Sequence, residues 1–108
     1  MNFVDLFSLT LHRAVAAKIL TDEYNVLKAA KSNLDRWLSR QDFTGEGSQA
    51  LLEWKAILES STPNEIITII SEDSCEGQRL RSSSPFSGVL TQNERKEIFD
   101  ACAEIVPV

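Results

Sequence analysis

The residues that build most catalytic and metal-binding sites are scarce in this sequence. Its 108 residues include one histidine and two cysteines. Cys75 and Cys102 form no CxxC pair, and His12 supplies no Cys/His cluster with the spacing of a zinc site. We therefore expect two reduced thiols, with Cys102 buried as ordinary packing, and neither a metal site nor a cofactor.

Long apolar runs and a leader sequence are also lacking. A membrane-spanning helix needs about 18 or more consecutive apolar residues, and no window of the chain approaches that length. The N-terminal segment MNFVDLFSLTLHRAV places Asp5 early and has no basic head before an apolar run. These absences predict a cytoplasmic protein that is neither exported nor embedded in a membrane.

Positive charge is limited as well. The net charge is −5, with 11 basic against 16 acidic residues. This balance disfavours general nucleic-acid binding, which relies on clustered Lys and Arg to neutralise phosphates. Residues 11–40 differ, since they hold six basic and three acidic residues. A nucleic-acid-associated transcriptional regulator that uses this basic segment is therefore the alternative function.

What is present is the composition of one globular domain. The chain is 43% hydrophobic and 25% charged, and its length suffices for one core but not for two. Apolar residues recur at the three- and four-residue steps of amphipathic helices, as in Leu11, Val15 and Ile19, and in Tyr24, Leu27, Ala30, Leu34 and Trp37. We predict an all-α fold for residues 1–108, with five or six short helices in a single compact domain.

Helix boundaries are indicated by capping residues and glycines. The pair Thr21 and Asp22 predicts the start of a second helix, residues 43–48 a loop, and Ser48 the cap of a third helix. The sequences TPNE and TQNE, residues 62–65 and 91–94, have the pattern of a capping box. Residues 65–71 are rich in β-branched side chains, so a short strand competes with a helix there.

The stretch RLRSSSPF, residues 79–86, allows three interpretations. In the first, the arginines are solvated and the serines make turn or capping hydrogen bonds. In the second, arginines and hydroxyls form a site for a phosphate or for a partner's carboxylate. An intermediate possibility is an internal pair with Glu94 or Glu97. The candidate partner- or anion-binding residues are Arg79, Arg81, Ser82, Ser83 and Ser84, joined by His12 and Arg13 if the two segments pack together.

Four segments together resemble a family of small, uncharacterised bacterial proteins. They are LHRAVA (11–16), NLDRWL (33–38), LLEWKAIL (51–58) and LRSSSPFSGVLTQNER (80–95). The family has an early LHR-A segment, a mid-chain tryptophan helix and an LRxxSPFxGxLxxxER run. Its genes are associated with those of toxin-like or nucleotidyltransferase-like proteins. The resemblance spans about residues 9–99 and implies kinship without implying an activity.

No recognisable catalytic motif accompanies these features. His12 has no nucleophile motif beside it, and GEG at residues 45–47 lacks the GK[ST] of a phosphate loop. We expect a non-enzymatic protein-interaction module with a protein partner, acting as the antitoxin-like or regulatory member of a bacterial two-gene module. On this hypothesis, Arg81→Ala abolishes partner capture and leaves the helical content unchanged.

Overall fold

Helices account for all the regular secondary structure in the described part of the chain. The structure, a computed structural model, describes residues 1–40 and 46–108. Its helices are α1 (Phe3–Leu38), α2 (Glu46–Ser60), α3 (Pro63–Ser71), α4 (Cys75–Arg81) and α5 (Gln92–Ile105). The predicted all-α fold is confirmed, and residues 65–71 are helical rather than extended.

The longest element, α1, combines the first two predicted helices. Its backbone leaves helical geometry at Asp22, where φ is −148° and ψ is 54°. The carboxylate of Asp22 accepts hydrogen bonds from the side-chain amide of Asn25 rather than capping a new helix through a backbone amide. The predicted boundary is therefore a break within one helix. Tyr24, expected on the apolar face, is 72% exposed.

Local capping chemistry fixes the starts of α3 and α5. The Thr62 hydroxyl accepts from the Glu65 amide, and the Glu65 carboxylate accepts from the Thr62 amide at 2.9 Å. Thr91 and Glu94 repeat this reciprocal arrangement. Both predicted capping boxes are therefore confirmed. For α2 the predicted cap is wrong, because the helix begins at Glu46 and Ser48 lies inside it. The first part of the predicted loop, residues 43–45, falls outside the described residues.

The core forms around α1, which contacts each of the other four helices. The largest completely buried side chain is Trp54 of α2, whose indole N–H donates to the Leu80 carbonyl oxygen at 2.8 Å. Each fully buried apolar side chain of this kind stabilises the fold by about 1.5–3 kcal/mol. Other fully buried members are Val15, Ile19, Leu34, Ile66, Ile70 and Cys102.

The loop between α4 and α5 is tied to α1 by a buried amide. The Asn33 side-chain NH2 group donates to the carbonyl oxygens of Pro85 and Ser87, both at 2.9 Å. Phe86 packs edge-on against Trp54 between these two bonds. Gly88 then takes a positive φ of 82°, which glycine adopts readily. This loop is therefore anchored structure, and it forms one wall of the cleft described next.

Candidate partner-binding cleft

A cleft of about 250 Å³ lies between the first half of α1, the loop after α4 and the first turn of α5. We call it the α1–α5 cleft. Its walls combine four apolar and five polar residues: Val4, Phe7, Leu11 and Phe86, with Ser8, His12, Ser84, Ser87 and Arg95. The LHR segment and the SPF run, far apart in sequence, therefore meet at one place on the surface.

Aromatic packing builds the open end of this cleft. Phe3 and Phe7 stack along α1 with ring centroids 5.9 Å apart, and both meet Phe99 of α5 edge to face. Phe99 remains 39% exposed, and Val4 beside these rings is 70% exposed. Apolar surface therefore continues outward from the cleft.

Arg95 contributes a positive charge that nothing in the described part of the chain neutralises. Its neighbours in α5 are both engaged, since Glu94 pairs with Lys18 at 2.8 Å and Lys96 pairs with Asp100 at 2.7 Å. Arg95 lies between them, lines the cleft and makes no ion pair with any described residue. The cleft therefore carries an available guanidinium.

His12 is buried in the wall of the cleft with one ring nitrogen unpaired. Its Nδ1 lies 2.7 Å from the Ser8 carbonyl oxygen, which can only accept, so Nδ1 carries the hydrogen and Nε2 is left as an acceptor. Burial lowers the His12 pKa, although the bond to Ser8 opposes this and the charge of Arg81 adds to it. Nε2 is inaccessible to solvent and has no hydrogen-bond partner among the described residues. The ring is therefore a neutral acceptor at pH 7.

Arg81 does not lie on the surface, which corrects the sequence-based expectation. It is 6% exposed, and its Nη1 donates to the Glu72 carbonyl oxygen at 2.7 Å and to that of Ile70 at 3.5 Å. Arg13 reaches the same helix end, where its Nε donates to the Ser71 carbonyl oxygen. Both guanidiniums complement the negative end of the α3 dipole and its unpaired carbonyls. The two sequence segments do pack together, since His12 and Ser84 line the same cleft.

Arg79 points away from the cleft and is paired within the molecule. Its two terminal nitrogens bind the two carboxylate oxygens of Glu53, each at 2.8 Å, and it also bonds to Glu76. These bonds lower the pKa of both carboxyl groups. An internal pair was one of the predicted possibilities, but the predicted partners, Glu94 and Glu97, are wrong. Arg79 therefore connects α4 to α2.

The three serines make local bonds of the kind that turn residues make. Ser82 and Ser83 donate to the carbonyl oxygens of Arg79 and Leu80, respectively. Ser84 accepts from the Phe86 amide at 3.2 Å, which leaves its hydroxyl hydrogen free to donate. Ser84 borders the α1–α5 cleft, and all three serines border a shallower depression of about 430 Å³ beside Arg81 and Trp37.

Sequence reasoning did not assign Val4, Phe7 or Arg95 to a site. A periodic signal for Phe7 was present, because Phe3 and Phe7 extend the four-residue spacing of Leu11, Val15 and Ile19 toward the N-terminus. Arg95 was noticed only as part of the final ER pair. Its place in the cleft depends on how α5 packs against α1.

The described residues include neither a metal-binding cluster nor a membrane-spanning helix. Within the described residues, no group of three or more His, Cys, Asp or Glu side chains is placed to hold a metal ion. No helix in this part of the chain has both the length and the hydropathy needed to cross a bilayer. No family model, curated protein or solved structure matches the chain. The resemblance to small bacterial proteins therefore stays a prediction.

Proposed function

We propose that this chain is a non-enzymatic interaction module of the bacterial cytoplasm that captures a protein partner through the α1–α5 cleft. It would act as the antitoxin-like or regulatory member of a two-gene module. The observation that carries the proposal is a cleft of mixed apolar and polar lining that includes an arginine, Arg95, without an ion pair among the described residues. Aromatic and arginine side chains around a small pocket are typical of the residues that dominate protein interfaces.

The size and surroundings of the cleft favour a protein over a small molecule. Its volume of about 250 Å³ lies below the roughly 300–1,000 Å³ of most small-molecule sites. The exposed side chains of Val4 and Phe99 continue the apolar surface past its rim. A protein segment can cover both the cleft and this surrounding surface.

The basic segment 11–40 keeps most of its positive charge within the described residues. Lys18 pairs with Glu94, whereas Arg13 and Arg36 donate to neutral oxygen atoms and Lys28 lies over the ring of Tyr24. The net charge of −5 still disfavours nucleic-acid binding by the chain as a whole. The nucleic-acid regulator is therefore the competing outcome of the test.

The test is capture of a partner from nuclease-treated host lysate, followed by affinity measurement with the purified partner. Val4→Glu introduces a charge at the open end of the cleft, and Leu20→Glu introduces the same charge at an equally exposed position of α1 that does not line the cleft. We expect Val4→Glu to weaken binding about tenfold or more and Leu20→Glu to leave it unchanged. Equal affinities for both variants, or recovery of nucleic acid alone in lysate without nuclease, would contradict the proposal.

A further inference from the structure

We infer that the α1–α5 cleft takes an acidic, apolar peptide segment of the protein partner, with one carboxylate on Arg95 and an adjacent apolar side chain against Phe7, Leu11 and Phe86. This inference rests on the proposed function and specifies the chemistry of the partner. Three independent features of the cleft lead to it.

The polar groups of the cleft are complementary to an anion. Arg95 offers a guanidinium without a carboxylate partner, and the hydroxyls of Ser84 and Ser87 can donate. No Asp or Glu stands among the described residues that line the cleft. A guanidinium binds a carboxylate through two parallel hydrogen bonds, which fixes the position of the incoming group. Charge complementarity therefore favours an acidic residue of the partner.

The apolar walls exclude a free inorganic anion as the best-fitting occupant. Phe7 and Leu11 lie one helical turn apart on α1, and the loop residue Phe86, which is 3% exposed and packs against Trp54, also lines the cleft. Burial of an apolar side chain between them gains stability in proportion to the area removed from water. An occupant that satisfies both the walls and Arg95 has an apolar group next to its carboxylate.

The hydroxyl groups of the cleft favour a peptide over a simple fatty acid. Ser8, Ser84 and Ser87 lie beside the apolar walls, and a serine hydroxyl can accept a hydrogen bond as well as donate one. A fatty-acid carboxylate has no donor to offer when ionised, whereas every non-proline peptide unit supplies an N–H. A peptide segment therefore supplies the carboxylate, the apolar side chain and the donor together.

The test uses three blocked peptides with the full-length chain, followed by amide NMR shifts. The first peptide is acetyl-Leu-Glu-Leu-Leu-Glu-Leu-amide, and its matched forms carry Gln or Lys in place of Glu. We expect the Glu peptide to shift the amides of Leu11, Phe86 and Arg95 and to bind about two- to fivefold more tightly than the Gln peptide at low salt. The difference should shrink as salt screens the pair.

Charge reversal supplies the control. Arg95→Glu should abolish the preference for the Glu peptide and create one for the Lys peptide. Lys31→Glu makes the same change in net charge away from the cleft and should preserve the wild-type order. Equal binding of the Glu and Gln peptides, shifts confined to another surface, or no binding of any peptide would overturn the inference.

The outcomes for the two proposals are separable. If partner capture depends on Val4 while the peptides show no charge preference, the interaction module stands and the acidic segment is wrong. If the Glu peptide binds in the cleft while Val4→Glu leaves partner capture intact, the peptide chemistry stands and the proposed function is wrong.

Discussion

The guanidinium of Arg81 holds the C-terminal end of α3 by donating to the carbonyl oxygen of Glu72 at 2.7 Å. This bond joins the last residue of α4 to the residue that follows α3. A residue that sequence reasoning placed in a surface site therefore stabilises a buried junction. Arg13 of α1 donates to the neighbouring Ser71 carbonyl oxygen, so α1 is tied to the same junction.

Arg81→Ala should destabilise the fold rather than only weaken partner binding. Loss of a charge-assisted hydrogen bond, with buried carbonyl oxygens left unpaired, should lower the free energy of unfolding by about 2–3 kcal/mol. Urea denaturation followed by circular dichroism measures this. Arg79→Ala removes an exposed arginine of the same helix and should shift the midpoint much less. Similarly small shifts of the urea midpoint for both variants would show that the Arg81 hydrogen bonds contribute little to stability.

Gly77→Ala should be destabilising although alanine is the better helix former. An added Cβ at this position would lie 2.5 Å from the Glu72 carbonyl oxygen and 2.9 Å from Arg81 Nη1, so the backbone or the Arg81 bond would have to move. The expected change is a lower urea midpoint. If the free energy of unfolding instead rose by about 1 kcal/mol, the gain expected from helix propensity alone, the contact with Glu72 and Arg81 would not constrain this position.

Gly88→Ala provides a comparison in which the added Cβ causes no steric clash. A Cβ at Gly88 would meet no atom within 4 Å, but the φ of 82° is unfavourable for alanine. We therefore expect a backbone penalty of about 1–2 kcal/mol without disturbance of the Arg81 bond.

The two tryptophans should differ in their contribution to stability. Trp54 is completely buried and its indole N–H is bonded, whereas Trp37 packs against the core and is only partly buried. Trp54→Ala should cost about 3–5 kcal/mol, and Trp37→Ala should cost less. Chemical denaturation of both variants decides this. A larger loss for Trp37→Ala would contradict the burial described here.

Glu94 should contribute to acid-dependent stability. Its hydrogen bond to Lys18, aided by the Thr91 amide, lowers its pKa from 4.5 to about 2. Because the folded-state pKa lies below the unfolded value, the stabilisation is complete above about pH 4.5 and is lost as the pH falls toward 2. Side-chain NMR titration should show a raised Glu94 pKa in Lys18→Gln. An unchanged pKa would assign the effect to Thr91 alone.

Features that depend on neighbouring residues in sequence were predictable here. The capping boxes at Thr62 and Thr91 follow from residues three apart, and the helical spacing of the core residues follows from periodicity. The role of Gly77 was not predictable, because the Glu72 carbonyl oxygen approaches it only once α3 and α4 have packed.

The candidate site was predictable only in part, because its composition also depends on how distant helices pack together. His12 and Ser84 were among the candidates, but Arg95 acquires its importance from the packing of α5 against α1. From the sequence alone, Asn33 is one more polar residue on a helix. Its hydrogen bonds go to a loop more than 50 residues away, so no local sequence pattern predicts them.

The break in α1 at Asp22 has a consequence for how the chain closes on itself. A straight helix of this length would measure about 54 Å at 1.5 Å per residue, whereas the longest dimension of the molecule is 39 Å. Because of the break, apolar residues of the second half, Val26, Ala30 and Leu34, join the same core as Val15 and Ile19 of the first half. One non-helical residue thus lets both halves of α1 contribute to a single core.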